Sequence, residues 1–293
     1  MLAHQSATAA PLVCGIDFSV DSRRALVFAA NLAGRLQRPL TVVTVIDPLL
    51  AEAADLTTGA GRFAADAVRE LEALAADCVA TAEGEAPRLT VSTETGSPAA
   101  ALLDLAARED AFLVAVGAQG LGRGKRLLLG STTLRLLRRA DRPILSVPPT
   151  AFDADSVDHV LWGTDLGPVA AQAGLVADQL AVKLSVPLTV VHAVEPVVVP
   201  AQWDAVVAKV LDSRRAEAET RVAAVIRSLK SPATAHVRVG KAVEVLGEAG
   251  REGRPLIALG LESHDGHRPG TLAYQMLSES KAPVLAVPAT PNG

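Results

Sequence analysis

The chain repeats itself, and that limits its fold more than any other feature. Residues 159–195 lie on residues 11–47 at a constant offset of 148 with twelve identities and no gap. The identities include Gly15/Gly163, Asp17/Asp165, Pro39/Pro187 and the run Leu-Thr-Val-Val at 40–43 and 188–191. Later landmarks keep their order at smaller offsets: Gly96/Gly240, Gly117/Gly260, Gly130/Gly270 and Pro143/Pro283. One large sheet would not restart with the same residues, whereas two copies of one fold do. The length of 293 residues suits two domains of roughly 150 each. The boundary falls after Pro148-Pro149, giving domains 1–150 and 151–293 with a linker over 149–158. Hydrophobic residues are 49% of the chain and aromatics only 3%, so both cores are built from Ala, Leu and Val.

Within the first copy, residues 1–10 read as a loose arm. Leu12 to Ile16 and Leu40 to Ile46 then read as strands, the second rich in Val and Thr. Between them, Asp21 to Leu36 sets Ala25, Ala29, Leu32 and Leu36 on one face at helical spacing. Asp47-Pro48 stops the second strand, residues 49–60 read as a loop, and Phe63 to Val79 reads as an amphipathic helix. Leu89 to Glu94 is a third strand. Gly96-Ser97-Pro98 opens a helix through Arg108, with proline suited to the first turn. An apolar run from Ala111 to Val116, a helix from Thr132 to Ala140 and a strand from Ile144 to Val147 complete a βαβαβαβαβ series. Such alternation implies a parallel sheet covered by helices on both faces.

The chemistry concentrates between the fourth strand and its helix, in residues 117–131, Gly-Ala-Gln-Gly-Leu-Gly-Arg-Gly-Lys-Arg-Leu-Leu-Leu-Gly-Ser. Strand, glycine-rich loop and helix start together build an anion site, because the new helix offers free N–H groups and the positive end of its dipole. Glycines let the backbone come close to the anion. Ser131 suits the helix N-cap, and Arg123, Lys125 and Arg126 add positive charge. The loop is not a Walker motif, since Gly124-Lys125 is followed by Arg126 and not by Ser or Thr. It fits Gly-2x-Gly-9x-Gly-Ser, from Gly117 and Gly120 to Gly130-Ser131. That spacing looks like the ATP-binding signature of universal stress proteins, and with the repeat in view both halves resemble domains of that family.

The resemblance implies a fold of two tandem open-sheet, Rossmann-like α/β domains. Each would carry a five-stranded parallel sheet in the order 3-2-1-4-5, with nucleotide at the carboxyl ends of strands 1 and 4. It also implies pairing of the two domains through their last strands. Carried over residue by residue, Gly15, Ile16 and Asp17 end strand 1 beside adenine and ribose. Val45 meets the adenine edge through its backbone. Val116, Gly117, Gln119 and Gly120 cover the ribose and phosphates. Gly130, Ser131, Thr132 and Thr133 supply N–H groups and hydroxyls at the helix start. Asp17 and the two threonines also have a plainer reading, as a cap on the next helix and as first-turn residues.

The second half keeps Asp165 but not the loop, which becomes Gly260-Leu-Glu-Ser263, then six residues to Gly270-Thr271. A polyphosphate would meet Glu262 there, and the basic residues thin to Arg268. His264, Asp265 and His267 sit in one short turn without a further partner fixed by sequence, so a solvated turn is expected and not a metal site.

The reading that follows is an ATP-binding universal stress protein in which nucleotide acts as ligand or state signal, with Mg2+ accompanying the triphosphate. Asp17 is the only carboxylate tied to the site and no His or Lys stands out as a base, so at most slow hydrolysis is expected. The alternatives are an adenylate-forming or ATP-cleaving enzyme of the same fold group, which would need a pyrophosphate signature not found here, and a nucleotide-free interaction module. A homodimer and a regulatory protein are the further partners expected. The net charge of −4 gives no global field for nucleic acid. No basic leader or 18-residue apolar run suggests export or a membrane span, so the expected location is cytoplasmic. Cys14 and Cys78 lack metal or redox spacing and read as reduced core residues.

Overall fold

A computed structural model describes residues 9–58, 61–81, 85–119, 129–152, 154–196, 200, 204–264, 268–269 and 271–289. The first half runs β1 (Leu12–Ile16), α1 (Val20–Leu36), β2 (Leu40–Ile46), α2 (Pro48–Thr58), α3 (Arg62–Ala80), β3 (Leu89–Thr95), α4 (Pro98–Arg108), β4 (Leu113–Gly117), α5 (Ser131–Arg139) and β5 (Ile144–Val147). A 3-10 turn at Ala154–Ser156 precedes the second half. That half runs β6 (His159–Gly163), α6 (Pro168–Leu184), β7 (Leu188–Val194), α7 (Asp204–Ile226), β8 (Ala233–Val239), α8 (Ala242–Ala249) and β9 (Pro255–Leu261). It continues with β10 (Ser263–His264), β11 (Arg268–Pro269), α9 (Thr271–Glu279) and β12 (Val284–Pro288).

Ten strands form one sheet in the order β3-β2-β1-β4-β5-β12-β9-β6-β7-β8. Each half therefore carries the 3-2-1-4-5 order with parallel neighbours, as the repeat and the resemblance led us to expect. The halves join through an antiparallel pair, β5 with β12, in the register Ile144↔Ala286 and Leu145↔Leu285. Strands buried on both faces read as continuous apolar runs, and β4, β5 and β12 are buried along their whole length. One core layer lies under α1, α3 and α6 and includes Phe28, Leu71 and Leu180. The other lies under α4, α5, α8 and α9 and includes Leu102, Leu136 and Leu246.

The repeat extends to backbone detail. After each first strand a non-glycine residue takes the left-handed conformation: Phe18 at φ 61° and Leu166 at φ 65°. Each following helix ends on another, Gln37 at φ 52° and Ser185 at φ 56°. Gly15 and Gly163 face equivalent leucine side chains. An added Cβ would lie 2.9 Å from Leu102 Cδ1 in the first half and 2.8 Å from Leu246 Cδ2 in the second. The cores differ by exchange of volume. Cys14 and Leu26 of the first half correspond to Trp162 and Gly174 of the second. The Trp162 ring fills the space, its Cζ2 only 2.4 Å from where a Gly174 Cβ would be. Its Nε1–H donates to the Ala170 carbonyl at 3.0 Å.

The linker is held from α1. Arg24 donates to the Ala151 carbonyl, from Nε at 2.9 Å and from Nη2. Arg35 donates from Nη1 to the Ala154 carbonyl at 2.7 Å and from Nη2 to the Leu184 carbonyl at 2.8 Å. One guanidinium thus ties first half, linker and second half together.

Three expectations are corrected. Residues 49–60 do not form a loop, because Pro48–Thr58 is helical. Asp47 caps this helix, its Oδ1 accepting from Leu49 N at 2.8 Å, and Pro48 sits at the position where its missing N–H costs nothing. The N-cap of α5 is Gly130 and not Ser131, with no side chain capping it. His264 lies in a two-residue antiparallel ladder, Ser263↔Pro269 and His264↔Arg268, where a solvated turn was expected. Asp265 and His267 lie outside the described residues. Both cysteines are free and buried, and burial pushes the Cys14 thiol far above its ordinary range.

Candidate functional site

The carboxyl ends of β1 and β4 lie side by side at the point where the strand order reverses, the place where open α/β sheets leave a crevice. At the end of β1, Asp17 is exposed and its Oδ1 accepts from Ser19 N at 3.0 Å and from Ser19 Oγ at 2.5 Å. Ser19 in turn caps α1, accepting from Ser22 N at 3.1 Å. The plainer reading of Asp17 is thus partly right, since it holds the residue that caps the helix. Burial, and then the nearby Asp17 carboxylate, raise the Asp21 carboxyl above the usual range. Asp17 and Asp21 thus put two carboxylates on this side of the crevice, facing the other side.

That side is β4 and the start of α5. Gly117 ends β4 under the first turn of α1, where an added Cβ would lie 3.0 Å from the Asp21 carbonyl carbon and 3.1 Å from its oxygen. Backbone, not a movable side chain, occupies that space, so any side chain here would force the backbone to shift. Ala118 N donates to the Val147 carbonyl at 2.9 Å and Gly130 N to the Ala118 carbonyl at 2.9 Å. The second bond draws the two ends of the glycine-rich stretch together. Gly120 and residues 121–128, including Arg123, Lys125 and Arg126, lie outside the described residues.

From Gly130 the chain enters α5, and Leu134 N makes the first return bond, to the Gly130 carbonyl at 2.9 Å. Among the described residues, the amides of Ser131, Thr132 and Thr133 meet no acceptor, the usual state of a first turn without a side-chain cap. Ser131 is exposed and Thr132 half-buried. Thr133 is buried, and its hydroxyl donates to the Gly117 carbonyl at 3.0 Å. Its proton is used inside the fold, a role its position in sequence did not announce.

The remaining expected site residues are Gly15, Ile16, Val45, Val116 and Gln119. Gly15 and Ile16 precede Asp17 in β1, and Val45 is half-buried near the end of β2, paired with Glu94. Val116 is buried and Gln119 half-buried. All of them stand at the carboxyl edge of the sheet.

Arg142, just past the end of α5, belongs to the scaffold. Its Nη1 donates to the Ala106 carbonyl at 2.7 Å and the Ala111 carbonyl at 3.2 Å, and it pairs with Asp141.

The equivalent corner of the second half keeps the frame and changes the contents. Asp165 Oδ1 accepts from Gly167 N at 2.7 Å, so this aspartate again serves the entry to its helix. An added Cβ on Gly260 would lie 3.0 Å from Ala170 N and 3.1 Å from the Val169 carbonyl carbon, repeating Gly117. His192 on β7 is fixed by the Thr164 carbonyl, 2.8 Å from Nδ1, so Nδ1 carries the proton there. The β10–β11 hairpin stands where the first half has its glycine stretch, and β11 lies against α5 of the first half. Among the described residues no group of three or more His, Cys, Asp or Glu side chains could hold a metal, and no helix is long and apolar enough to cross a membrane.

Residues 10–148 match the model of the Universal stress protein family. Over 195 residues the chain is 32% identical to a universal stress protein of Mycolicibacterium smegmatis, an alignment covering 64% of this chain and 65% of that one. It is 31% identical over 194 residues to a universal stress protein of Mycobacterium tuberculosis strain H37Rv, covering 62% of this chain and 63% of the relative. The chain thus spans less than two thirds of the length of these relatives. The crystal structure of a universal stress protein from Archaeoglobus fulgidus superposes with a TM-score of 0.65 at 16% identity, covering 95% of this chain and 98% of that one.

Proposed function

Since the chain belongs to the universal stress protein family, we propose that it binds ATP in its first half and works as a nucleotide-dependent binding protein in a stress response. The observation that carries this reading is the free first turn of α5, drawn against the end of β4 by the Gly130–Ala118 hydrogen bond. Phosphates would take the amides of Ser131 and Thr132 and the Ser131 hydroxyl, with Gly117 and Gly120 allowing close approach. Asp17 and the backbone of Val45 would take ribose and adenine, with Gly15, Ile16, Val116 and Gln119 forming the walls. Thr133 would act from inside, by holding the helix start to Gly117. Three N–H donors at one helix end suit a polyanion. Mg2+ would be held mostly by phosphate oxygens, for the Asp17 carboxylate at the end of β1 already serves Ser19.

Among the described residues nothing in the crevice supplies a base for fast hydrolysis, and the nucleotide is read as ligand and signal. We assign one such site per chain and place it in residues 1–150; residues 151–293 would form a partner domain whose hairpin takes the place of the phosphate loop. Cytoplasmic action and a protein partner that responds to the nucleotide complete the reading.

The test is calorimetric titration of the full chain with ATP, alongside mass spectrometry of nucleotide retained through purification. Binding of one ATP per chain, lost when Gly130 is replaced by a bulky residue in a variant that still folds, is the expected result. No binding, or unchanged affinity in the folded Gly130 variant, would overturn it.

A further inference from the structure

A half-open cavity of about 530 Å³ lies between the C-terminal end of α5 and the carboxyl ends of β9 and β12, and both halves line it. Its place follows from the antiparallel pairing of β5 with β12. Ile144 opposes Ala286, so the residues that lead into β5 lie beside those that leave β12. Arg138 and Arg139 come from the first half; Val169, Leu261, Glu262 and Pro288 come from the second. It borders the second-half corner that matches the proposed nucleotide site, sharing Val169 and Glu262, the counterparts of Asp21 and Gln119, but among the described residues neither Asp165 nor Ala193 lines it.

Three observations define what it could take. Arg138 and Arg139 are exposed, and among the described residues no carboxylate pairs with either. They have no counterpart across the pseudo-symmetry, because the aligned positions of α9 are Ser278 and Glu279. Leu261 and Pro288 are buried and Val169 half-buried, giving an apolar floor. Two guanidiniums and the Glu262 carboxylate leave a net lining charge of one positive unit. A triphosphate would bring more negative charge than this lining can balance, and it would lie against Glu262. A single anionic group would not. The volume falls within the ordinary range of small-molecule sites, about 300–1,000 Å³.

We propose that this cavity binds a small organic monoanion, with the anionic group on Arg138 and Arg139 and the apolar body against Leu261, Val169 and Pro288. Guanidinium forks match a carboxylate in two parallel bonds, which fixes orientation as well as charge. Glu262 excludes polyanions and accepts a hydrogen bond from any donor the ligand carries. The site spans both halves, so an occupant would brace α5 against the second half. The proposal does not depend on ATP binding elsewhere in the chain.

The test uses the full chain and three probes: phenylacetate, its neutral isostere phenylacetamide, and tripolyphosphate. Phenylacetate should bind in calorimetry, and phenylacetamide at least tenfold more weakly. Arg138→Gln with Arg139→Gln should weaken phenylacetate at least tenfold. Both side chains are exposed, so this variant should keep the wild-type circular dichroism and melting temperature. Glu262→Gln should strengthen phenylacetate and admit tripolyphosphate. Adding ATP should leave the phenylacetate titration unchanged. Equal binding of the amide, indifference to the double arginine variant, displacement by ATP, or no phenylacetate binding at millimolar concentration would each overturn the proposal.

Discussion

Thr133 is bonded to Gly117: the buried threonine hydroxyl donates to the glycine carbonyl at 3.0 Å, joining the start of α5 to the end of β4. The bond spans sixteen residues of sequence and closes the base of the stretch on which the proposed phosphate site depends. Thr133→Val keeps the shape and removes the donor. An unpaired buried carbonyl costs about 1–3 kcal/mol, so urea unfolding should show a loss of that size. ATP affinity should fall in the same variant, because the helix start is then less firmly fixed. Wild-type stability in the variant would show that this bond contributes little.

A second prediction concerns pH. Asp178 on α6 is buried, and its carboxylate accepts from Lys230 N at 3.0 Å, Ser231 N at 2.8 Å and Ser231 Oγ at 2.7 Å. Burial raises its pKa, but the hydrogen bonds from Ser231 and Lys230 outweigh that and leave it below the usual aspartate value. A carboxyl lowered in the folded state adds stability that is present above its unfolded pKa, about 3.9, and disappears as pH falls through the folded value. Asp178→Asn should therefore be less stable than wild type by about 1–3 kcal/mol at neutral pH. The gap should narrow in acid, below about pH 4. Melting curves over a pH series check this; a gap that stays constant into acid would contradict it.

The strands and helices flanking the site were legible in sequence, because buried parallel strands and a repeat leave strong marks, whereas the sheet order was implied only by the family resemblance. Residues 40–43 and 188–191 share Leu-Thr-Val-Val since both occupy the same two-sided strand. What was not legible depended on context. Asp47-Pro48 marks the end of a strand and equally the cap and first residue of a helix, and α2 follows the second reading. Trp162 against Gly174 is intelligible only as a pair, since neither residue alone signals that a ring replaces the bulk of Leu26. The donor role of Thr133 and the placing of Arg138 and Glu262 on one cavity arise between elements far apart in the chain.

The linker clamp gives a third prediction. Arg35 donates to the carbonyls of Ala154 and Leu184 at 2.7 and 2.8 Å, so its loss leaves two acceptors in different parts of the chain without this donor. Hydrogen bonds to charged groups contribute about 1.5–3 kcal/mol each. Arg35→Met keeps most of the apolar stem and should lower stability by about 2–4 kcal/mol, below the sum, because solvent can reach part of the gap. Its distinguishing effect should be on cooperativity: with the halves less firmly coupled, calorimetric scans should broaden or split. A single sharp transition at the wild-type temperature would show that β5–β12 pairing alone couples the halves.

The last prediction compares two glycines that do the same structural work and, on the proposed function, different binding work. Gly117 and Gly260 both sit beneath the first turn of the helix that follows the first strand of their half. An added Cβ would approach backbone atoms, at 3.0 Å from the Asp21 carbonyl carbon in one case and 3.0 Å from Ala170 N in the other. Neither neighbour can swing aside, so Gly117→Ala and Gly260→Ala should each destabilise the protein by an overpacking cost of about 1–3 kcal/mol. ATP affinity should separate them. Gly117 borders the stretch drawn together by Gly130 and Ala118, whereas Gly260 leads to Glu262 and the β10–β11 hairpin. Calorimetry on the two folded variants should find ATP binding weakened at least tenfold in Gly117→Ala and close to wild type in Gly260→Ala. Equal losses in both, or two equivalent sites in the wild-type titration, would mean that the second half holds nucleotide despite its hairpin.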